Sequence, residues 1–380
     1  MPPFVCTTKE EKTHAGLYIH IPFCATKCDY CDFLSFPQHS AHWEAYLHAL
    51  LQEWDAQRTV WHGVTFDTVF IGGGTPSVWP PRLLAALLAA LPAAPAQERT
   101  CEANPGTLSP EVLTALCEGG INRLSLGMQA FQPVLLQNIG RQAAPNPAQV
   151  LAKNIRTARR LGIHNISLDL MFALPGQTLS HWEETLHAAV ALAVPHISAY
   201  ALTPEEGTPL WERYGHTPCD DATDRAMYDT ARRLLAHHGL AQYELSNFAR
   251  PGFESRHNLG YWTGKPYLGL GLGAHSYDGH TRWHNTTDFS AYVGGAFAPC
   301  EVETLSPQQK MAEALFLGLR LTAGVDVTAF AARFGTTVDA LHGAWVQKMQ
   351  HETLLEKTST HLRLTRRGMD VANYVMAGFL

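Results

Sequence analysis

No apolar run in the 380 residues reaches the roughly 18 to 20 positions that a membrane-spanning helix needs. The most apolar stretch, LLAALLAALPAAPA from Leu83, is cut by Pro92 and Pro95, so no transmembrane segment is expected. The amino-terminal MPPFVCTTKEEKTH lacks a basic start, an apolar core and a small-residue cleavage site, so no secretory signal is visible and a cytoplasmic location is expected. Basic charge is scarce as well. Lys and Arg number 28 against 34 Asp and Glu, a net charge of -6, and adjacent basic residues occur only in short pairs such as Arg366 with Arg367. Nucleic acid is therefore not an expected partner. Charged residues make up only 16% and hydrophobic residues 46%, the balance of a globular chain. Its length allows a barrel-sized domain of roughly 200 to 250 residues plus a smaller one.

Cysteine is also sparse. Eight occur and three are clustered, which points to a reduced chain with one metal motif and excludes a disulfide scaffold. Cys6, Cys101, Cys117, Cys219 and Cys300 are scattered and read as small buried hydrophobes. The cluster lies in IHIPFCATKCDYCDF, residues 19 to 33: Cys24, Cys28 and Cys31 stand three and then two residues apart, and Phe33 occupies the place of a fourth thiolate. Structural zinc wants four ligands, usually in two pairs, and no second pair exists. A redox pair of Cys28 and Cys31 would leave Cys24 unexplained. A 4Fe-4S cluster on three cysteines uses them all and leaves one iron open to an exchangeable ligand.

From residue 17 onward, short apolar runs alternate with segments of helical period, the pattern of βα units. Strands are predicted at LYIHI from Leu17, TVFIG from Thr68, TCEA from Thr100, RLSLGM from Arg123, ISLDLMF from Ile166 and ISAYAL from Ile197. Between them, Trp43, Leu47, Leu50, Leu51 and Trp54 recur at helical spacing as a core-facing stripe, and SPEVLTALCEGG offers Ser109 as N-cap with Pro110 at the first helical position. The expected class is α/β, a barrel or an open doubly wound sheet, with function at the carboxyl ends of the strands. We expect three parts: a core over 1–215, an extension over 216–300, and a small helical or winged-helix-like domain over 301–380.

Two further motifs carry chemistry. IGGGTPS from Ile71 follows the second strand, and consecutive glycines there let backbone N–H groups approach a carboxylate. RHNLGYWTGKPYLGLGLGAHSYDG from Arg256 sets an imidazole among aromatics, as an axial heme ligand beside flat apolar walls would be, although a loop histidine is more often a hydrogen-bonded structural residue. Gly269, Gly271 and Gly273 do not open a helix, so close backbone packing is expected there and no dinucleotide site.

The cysteine triplet, with Tyr30 just before its last member, resembles the radical S-adenosylmethionine superfamily, and YIHIPFC narrows the resemblance to its oxygen-independent coproporphyrinogen oxidase-like branch over about residues 16 to 380. The resemblance implies a partial (β/α)6 barrel in which the amino and carboxylate groups of S-adenosylmethionine chelate the fourth iron. One electron, from an external donor, then cleaves the sulfonium to a 5'-deoxyadenosyl radical. It makes Gly73, Gly74 and Thr75 the methionine-binding segment, and adds Tyr18, Tyr30, Glu102, Gln129, Arg141, Asp169 and Ala201 as further contacts. Asp169 suits ribose hydroxyls, Glu102 an ammonium and Arg141 a carboxylate. One departure is that GRQAAPN follows where relatives have a histidine shortly after the residue matching Arg141.

HNxxYW, formed by His257, Asn258, Tyr261 and Trp262, resembles the motif of the HemW-type heme chaperones. The resemblance implies His257 as a ligand of heme iron with Tyr261 and Trp262 as heme contacts, His275 and His284 being weaker candidates for the second axial position. It also implies transfer of heme to acceptor proteins such as respiratory hemoproteins. Phe33 in place of a further cysteine, and only 23 residues before Cys24, set the chain apart from coproporphyrinogen dehydrogenases, so that activity is not expected. That dehydrogenase remains the alternative, together with a radical methyltransferase or cyclopropane-forming enzyme.

Overall fold

Strand β1 (His14–Ile21) reads HAGLYIHI and is buried on both faces, as strands of a parallel sheet covered by helices are. The computed structural model describes residues 14–37, 40–92, 97–141, 146–216 and 218–380. Cys6 and the residues after Arg141 that depart from the expected histidine motif lie outside these.

Five strands follow β1 in parallel register: β2 (Thr65–Gly73), β3 (Glu98–Ala103), β4 (Arg123–Gln129), β5 (Asn165–Phe172) and β6 (His196–Ala201). All six predicted strands are present, extended by up to three residues at their starts. Helices α1 (Trp43–Val60), α2 (Pro81–Ala90), α3 (Pro110–Glu118), α4 (Pro147–Arg160), α5 (Leu179–Ala191) and α6 (Asp221–His237) cover them. The stripe on α1 packs inward through Leu47, Leu50 and Trp54, and the Ser109 side chain accepts the Val112 N–H as N-cap.

The sheet is larger than the six strands. Twelve strands run in the order β12-β11-β10-β9-β1-β2-β3-β4-β5-β6-β8-β7, where β7 is Ala241–Gln242, β8 Asn247–Ala249, β9 Tyr267–Leu270, β10 His275–Tyr277, β11 Thr281–His284 and β12 Cys300–Thr304. Only β9 continues the parallel set, pairing Tyr267 with Gly16 of β1, and the rest are antiparallel. The sheet has two free edges and does not close. These added strands are two to five residues long, too short for alternation to register as a pattern. The HNxxYW segment, expected as a loop, is a short helix, α7 (Arg256–Trp262), capped by Ser255.

The carboxyl-terminal residues build their own core from Leu315, Leu319, Phe330, Val346, Met349, Leu362 and Val375. There α8 (Pro307–Gly318), α9 (Val327–Phe334) and α10 (Val338–His351) pack on a three-stranded sheet of β13 (Val325–Asp326), β14 (Leu355–Lys357) and β15 (His361–Leu364). Helices with a small antiparallel sheet match the expected winged-helix-like character.

A buried carboxylate anchors the extension to the barrel. Glu53 on α1 is fully buried and accepts hydrogen bonds from Gly271 N (2.8 Å), Asn285 Nδ2 (2.6 Å) and the Tyr292 hydroxyl (2.6 Å). Gly271 must be glycine: its φ is +101°, and a Cβ would lie 2.5 Å from the His20 carbonyl oxygen. Replacing Glu53 by Ala leaves buried donors unpaired and is expected to cost about 2–4 kcal/mol. Chemical denaturation of wild type and variant checks this, and a midpoint unchanged at equal slope would refute it.

Candidate functional site

The parallel register brings the carboxyl ends of β1 to β6 to one edge, where the chain leaving β1 turns through the cysteine loop. The loop is tied down on several sides. Phe36 N donates to the Pro22 carbonyl (2.7 Å), Cys31 N to that of Cys28 (3.1 Å), Asp29 N to that of Ile139 (3.0 Å), and the Asp29 carbonyl accepts from Leu210 N (3.0 Å). Cys24, Cys28 and Cys31 are all free, half-buried and turned to a single open cavity of about 140 Å³. Burial pushes the Cys24 and Cys31 thiols up.

Among the described residues, no group of three or more His, Cys, Asp or Glu side chains converges on a point that could hold one metal ion. Three cysteines facing one cavity suit a cluster, in which each thiolate would bind a different iron.

The GGG turn closes the opposite wall. Gly73, at φ +103°, donates its N–H to Glu102 Oε2 (3.1 Å), Gly74 N reaches the Ile21 carbonyl (2.9 Å) and Thr75 N that of Phe23 (2.7 Å). Thr75 Oγ1 lies 3.6 Å from Cys24 Sγ and accepts from Asn104 Nδ2 (3.0 Å). The glycine turn and the cysteine loop are thus one hydrogen-bonded unit.

The charges in this cavity are unbalanced in a specific way. Glu102 is pushed up to about 7 by burial and by the charge of Asp169, and its one hydrogen bond among the described residues is from the Gly73 N–H, not from a cation. Arg141 donates to Asn104 Oδ1 (2.6 Å) and to the Gly127 carbonyl, and no carboxylate among the described residues pairs with it. Gln129 Oε1 is buried without a partner among the described residues. A carboxylate lacking a cation and a guanidinium lacking a carboxylate in one cavity fit the zwitterionic end of an amino acid. Asp169 accepts one bifurcated bond from the Ser125 hydroxyl, 3.1 Å to Oδ1 and 3.0 Å to Oδ2, which leaves carboxylate capacity for sugar hydroxyls.

Of the sequence candidates, Tyr30, Gly73, Gly74, Thr75, Glu102, Gln129, Arg141 and Asp169 line this cavity with the cysteines. Two do not. Tyr18 is buried in β1 below Glu102, its hydroxyl 2.9 Å from His20 Nδ1, and Ala201 ends β6 beside Tyr200, which faces the cavity in its place. Sequence reasoning missed Tyr200, Ser125 and Asn104. Ser125 was findable, being the polar residue between Leu124 and Leu126 in the apolar middle of its strand, and Asn104 directly follows Glu102 and Ala103 in CEANPG.

The HNxxYW residues lie elsewhere. His257 is buried against the amino-terminal halves of β1 and β2, with Nδ1 2.8 Å from Thr68 Oγ1, Nε2 2.9 Å from the Tyr261 hydroxyl and its ring stacked on Phe70. Burial pushes it down to about 3, so the imidazole is neutral. The Trp262 ring lies under the Arg320 guanidinium at 4.2 Å. His275 and His284 face each other across β10 and β11, ring centroids 5.1 Å apart.

Buried hydrogen bonds join α7 to the cavity. Ser167 Oγ donates to Asp169 (3.3 Å) and meets His196 Nδ1 (2.7 Å), His196 Nε2 meets the Tyr243 hydroxyl (2.8 Å), and that hydroxyl accepts from Ser255 N (3.1 Å). Glu98, paired with buried Arg123 at 3.9 Å, accepts the Arg256 and His257 N–H groups and so holds the start of α7.

Comparison with known proteins agrees with this geometry. The Radical SAM superfamily profile matches residues 18–189, and the HemN C-terminal domain profile matches 305–371. A Bacillus subtilis protein named heme chaperone HemW is 37% identical over 96% of this chain and 98% of its own length. The chaperone of the same name from Lactococcus lactis is 35% identical over 96% of both chains. The chain belongs to the HemW family of radical S-adenosylmethionine proteins. Its fold is that of the Escherichia coli coproporphyrinogen III oxidase HemN, with a TM-score of 0.85 over 97% of this chain and 90% of that one, at 20% identity. Family membership implies a 4Fe-4S cluster and S-adenosylmethionine. The cluster would supply single-electron reduction, and this chain's residues would hold the cofactors and shield them. No helix among the described residues is long and apolar enough to cross a membrane.

Proposed function

We propose that the protein is a heme chaperone that binds heme in addition to its cluster and S-adenosylmethionine and passes heme to acceptor hemoproteins, with an electron donor serving the cluster, in the cytoplasm. The observation that carries this reading is similarity along nearly the whole chain to relatives named as heme chaperones, against 20% identity to the oxidase that shares the fold. Phe33 supports it: the ring is 63% exposed at the mouth of the cluster cavity, where the oxidase pattern has a cysteine.

In this reading Cys24, Cys28 and Cys31 hold the cluster. Glu102 and Arg141 take the amino and carboxylate groups of S-adenosylmethionine, Asp169 its ribose, and Gly73, Gly74 and Thr75 its methionine backbone. His257 is the heme ligand, which requires its Nε2 to exchange the Tyr261 hydroxyl for iron. The test is anaerobic titration with heme, followed by the Soret band. Wild type is expected to bind, and His257→Ala to bind at least about tenfold more weakly, the cost of roughly 1.4 kcal/mol of ligation. Unchanged binding in the variant would remove His257 as ligand. Incubation with coproporphyrinogen III, S-adenosylmethionine and a reductant is expected to yield no protoporphyrinogen, and turnover at enzymatic rates would overturn the chaperone assignment.

A further inference from the structure

A second cavity, of about 300 Å³, opens between the barrel extension and the carboxyl-terminal unit. Tyr267 and Tyr277, paired across β9 and β10, form its floor, Phe316 of α8 adds an aromatic wall, and Tyr261 of the HNxxYW helix borders it. Four cations face it, Lys265, Arg282, Lys310 and Arg333, against a single carboxylate, Glu313. Two of the four are already neutralised: Lys265 pairs with Asp67, and Arg282 with Glu303 and Glu313. Lys310 and Arg333 have no carboxylate within 4 Å among the described residues. Lys310 Nζ meets the imidazole of His280 and feels the charge of Asp278 only from beyond ion-pair distance, and Arg333 lies over the Phe334 ring. Two like charges left facing one aromatic-walled cavity are unfavourable unless an anion joins them.

We propose that this cavity seats the carboxylate-bearing edge of heme, with the macrocycle against Tyr267, Tyr277 and Phe316 and the two propionates on Lys310 and Arg333. The assignment rests on the chaperone reading and gives it a place. Flat apolar walls with two cations at one rim match a planar ligand carrying two carboxylates on one edge. At about 300 Å³ the cavity is at the low end for a ligand site, so part of the macrocycle stays outside, as suits cargo that must be surrendered. It also lies away from the cluster. Tyr267 sits in register with Gly16, whereas the cluster cavity begins beyond Ile21, five residues along β1 or about 16 Å at about 3.3 Å per residue. Heme held here is out of reach of radical chemistry at the strand ends.

The experiment titrates heme, and separately heme dimethyl ester, into the full chain with its cluster reconstituted. The variants are Lys310→Ala/Arg333→Ala and Ala314→Trp, the latter placing an indole in the cavity from α8. Loss of two charge-assisted contacts is expected to weaken heme binding at least tenfold in the double variant. The ester is expected to bind wild type as weakly as heme binds that variant, and Ala314→Trp to weaken both ligands. Cluster iron content is expected to be unchanged throughout. Heme binding of wild-type strength in both variants would overturn the location while leaving the chaperone reading intact, whereas a wild type that binds no heme overturns both.

Discussion

Replacing any one of Cys24, Cys28 and Cys31 by Ala is expected to abolish cluster assembly, measured as iron and acid-labile sulfide per chain and as loss of the thiolate-to-iron absorbance. A cube held by three thiolates already has one iron without a protein ligand. A second bare iron exposes the cluster to solvent, and no neighbour is placed to replace the lost sulfur. Cys101 is fully buried within β3 and does not line the cavity. The fold is expected to survive, because the three cysteines are half-buried in a loop and contribute nothing to the barrel core. Retention of full iron and sulfide in any single variant would mean that another group substitutes, and the three-cysteine assignment would fall. Phe33→Cys combined with any of these variants is not expected to restore the cluster, since Phe33 points to solvent at the mouth of the cavity.

The sequence announced this site because its parts sit at equivalent places in successive βα units. Six apolar runs predict six strands, and residues in or just beyond their carboxyl halves, from Cys24 through Gly73 and Glu102 to Asp169, converge on one cavity for the same topological reason. Side-chain direction is less legible. Tyr18 and Ala201 sit at plausible strand positions yet do not line the cavity, because a residue's place along a strand fixes the face it points to and not the neighbour that covers it. The structural extension was hidden for another reason. Strands as short as β7 and β8 are stabilised by pairing with the sheet already there, so nothing in their own periodicity reveals them. The HNxxYW segment illustrates both effects: its chemistry was visible, but its helical state is fixed by Ser255 and by Glu98, a carboxylate 159 residues from His257.

That distribution of polar contacts ties the two proposed binding regions together. Asp169 lines the cluster cavity, and Ser255 caps the helix that borders the second one. Between them run Ser167, His196 and Tyr243, all hydrogen-bonded and largely buried. Buried polar groups of this kind are costly to leave unpaired, so each fixes the orientation of the next. The barrel therefore holds the helix carrying His257 in a defined position relative to the strand ends.

Gly74→Val is expected to eliminate S-adenosylmethionine binding while leaving the barrel folded. A Cβ at this position would stand 2.6 Å from the Phe23 carbonyl oxygen, 2.7 Å from its nitrogen and 2.9 Å from the Ile21 carbonyl oxygen. All three are backbone atoms of the segment leading into the cysteine loop, so no side chain can turn aside to make room. The same contact is bridged by the Gly74 N–H to Ile21 bond and the Thr75 N–H to Phe23 bond, which a displaced turn would lose. Overpacking costs about 1–3 kcal/mol, and each lost hydrogen bond adds about 1 kcal/mol. Charged to ligand binding, the sum exceeds a hundredfold in affinity at about 1.4 kcal/mol per decade. Equilibrium dialysis of S-adenosylmethionine against reconstituted protein reads the loss directly. Glu102→Gln is the informative companion: it keeps the turn, since an amide oxygen can still accept from Gly73 N, and removes only the charge proposed to meet the ammonium. It is expected to weaken binding by about tenfold, less than Gly74→Val, with cluster content preserved. Equal and wild-type affinity in both variants would show that the ligand does not contact the glycine turn at all.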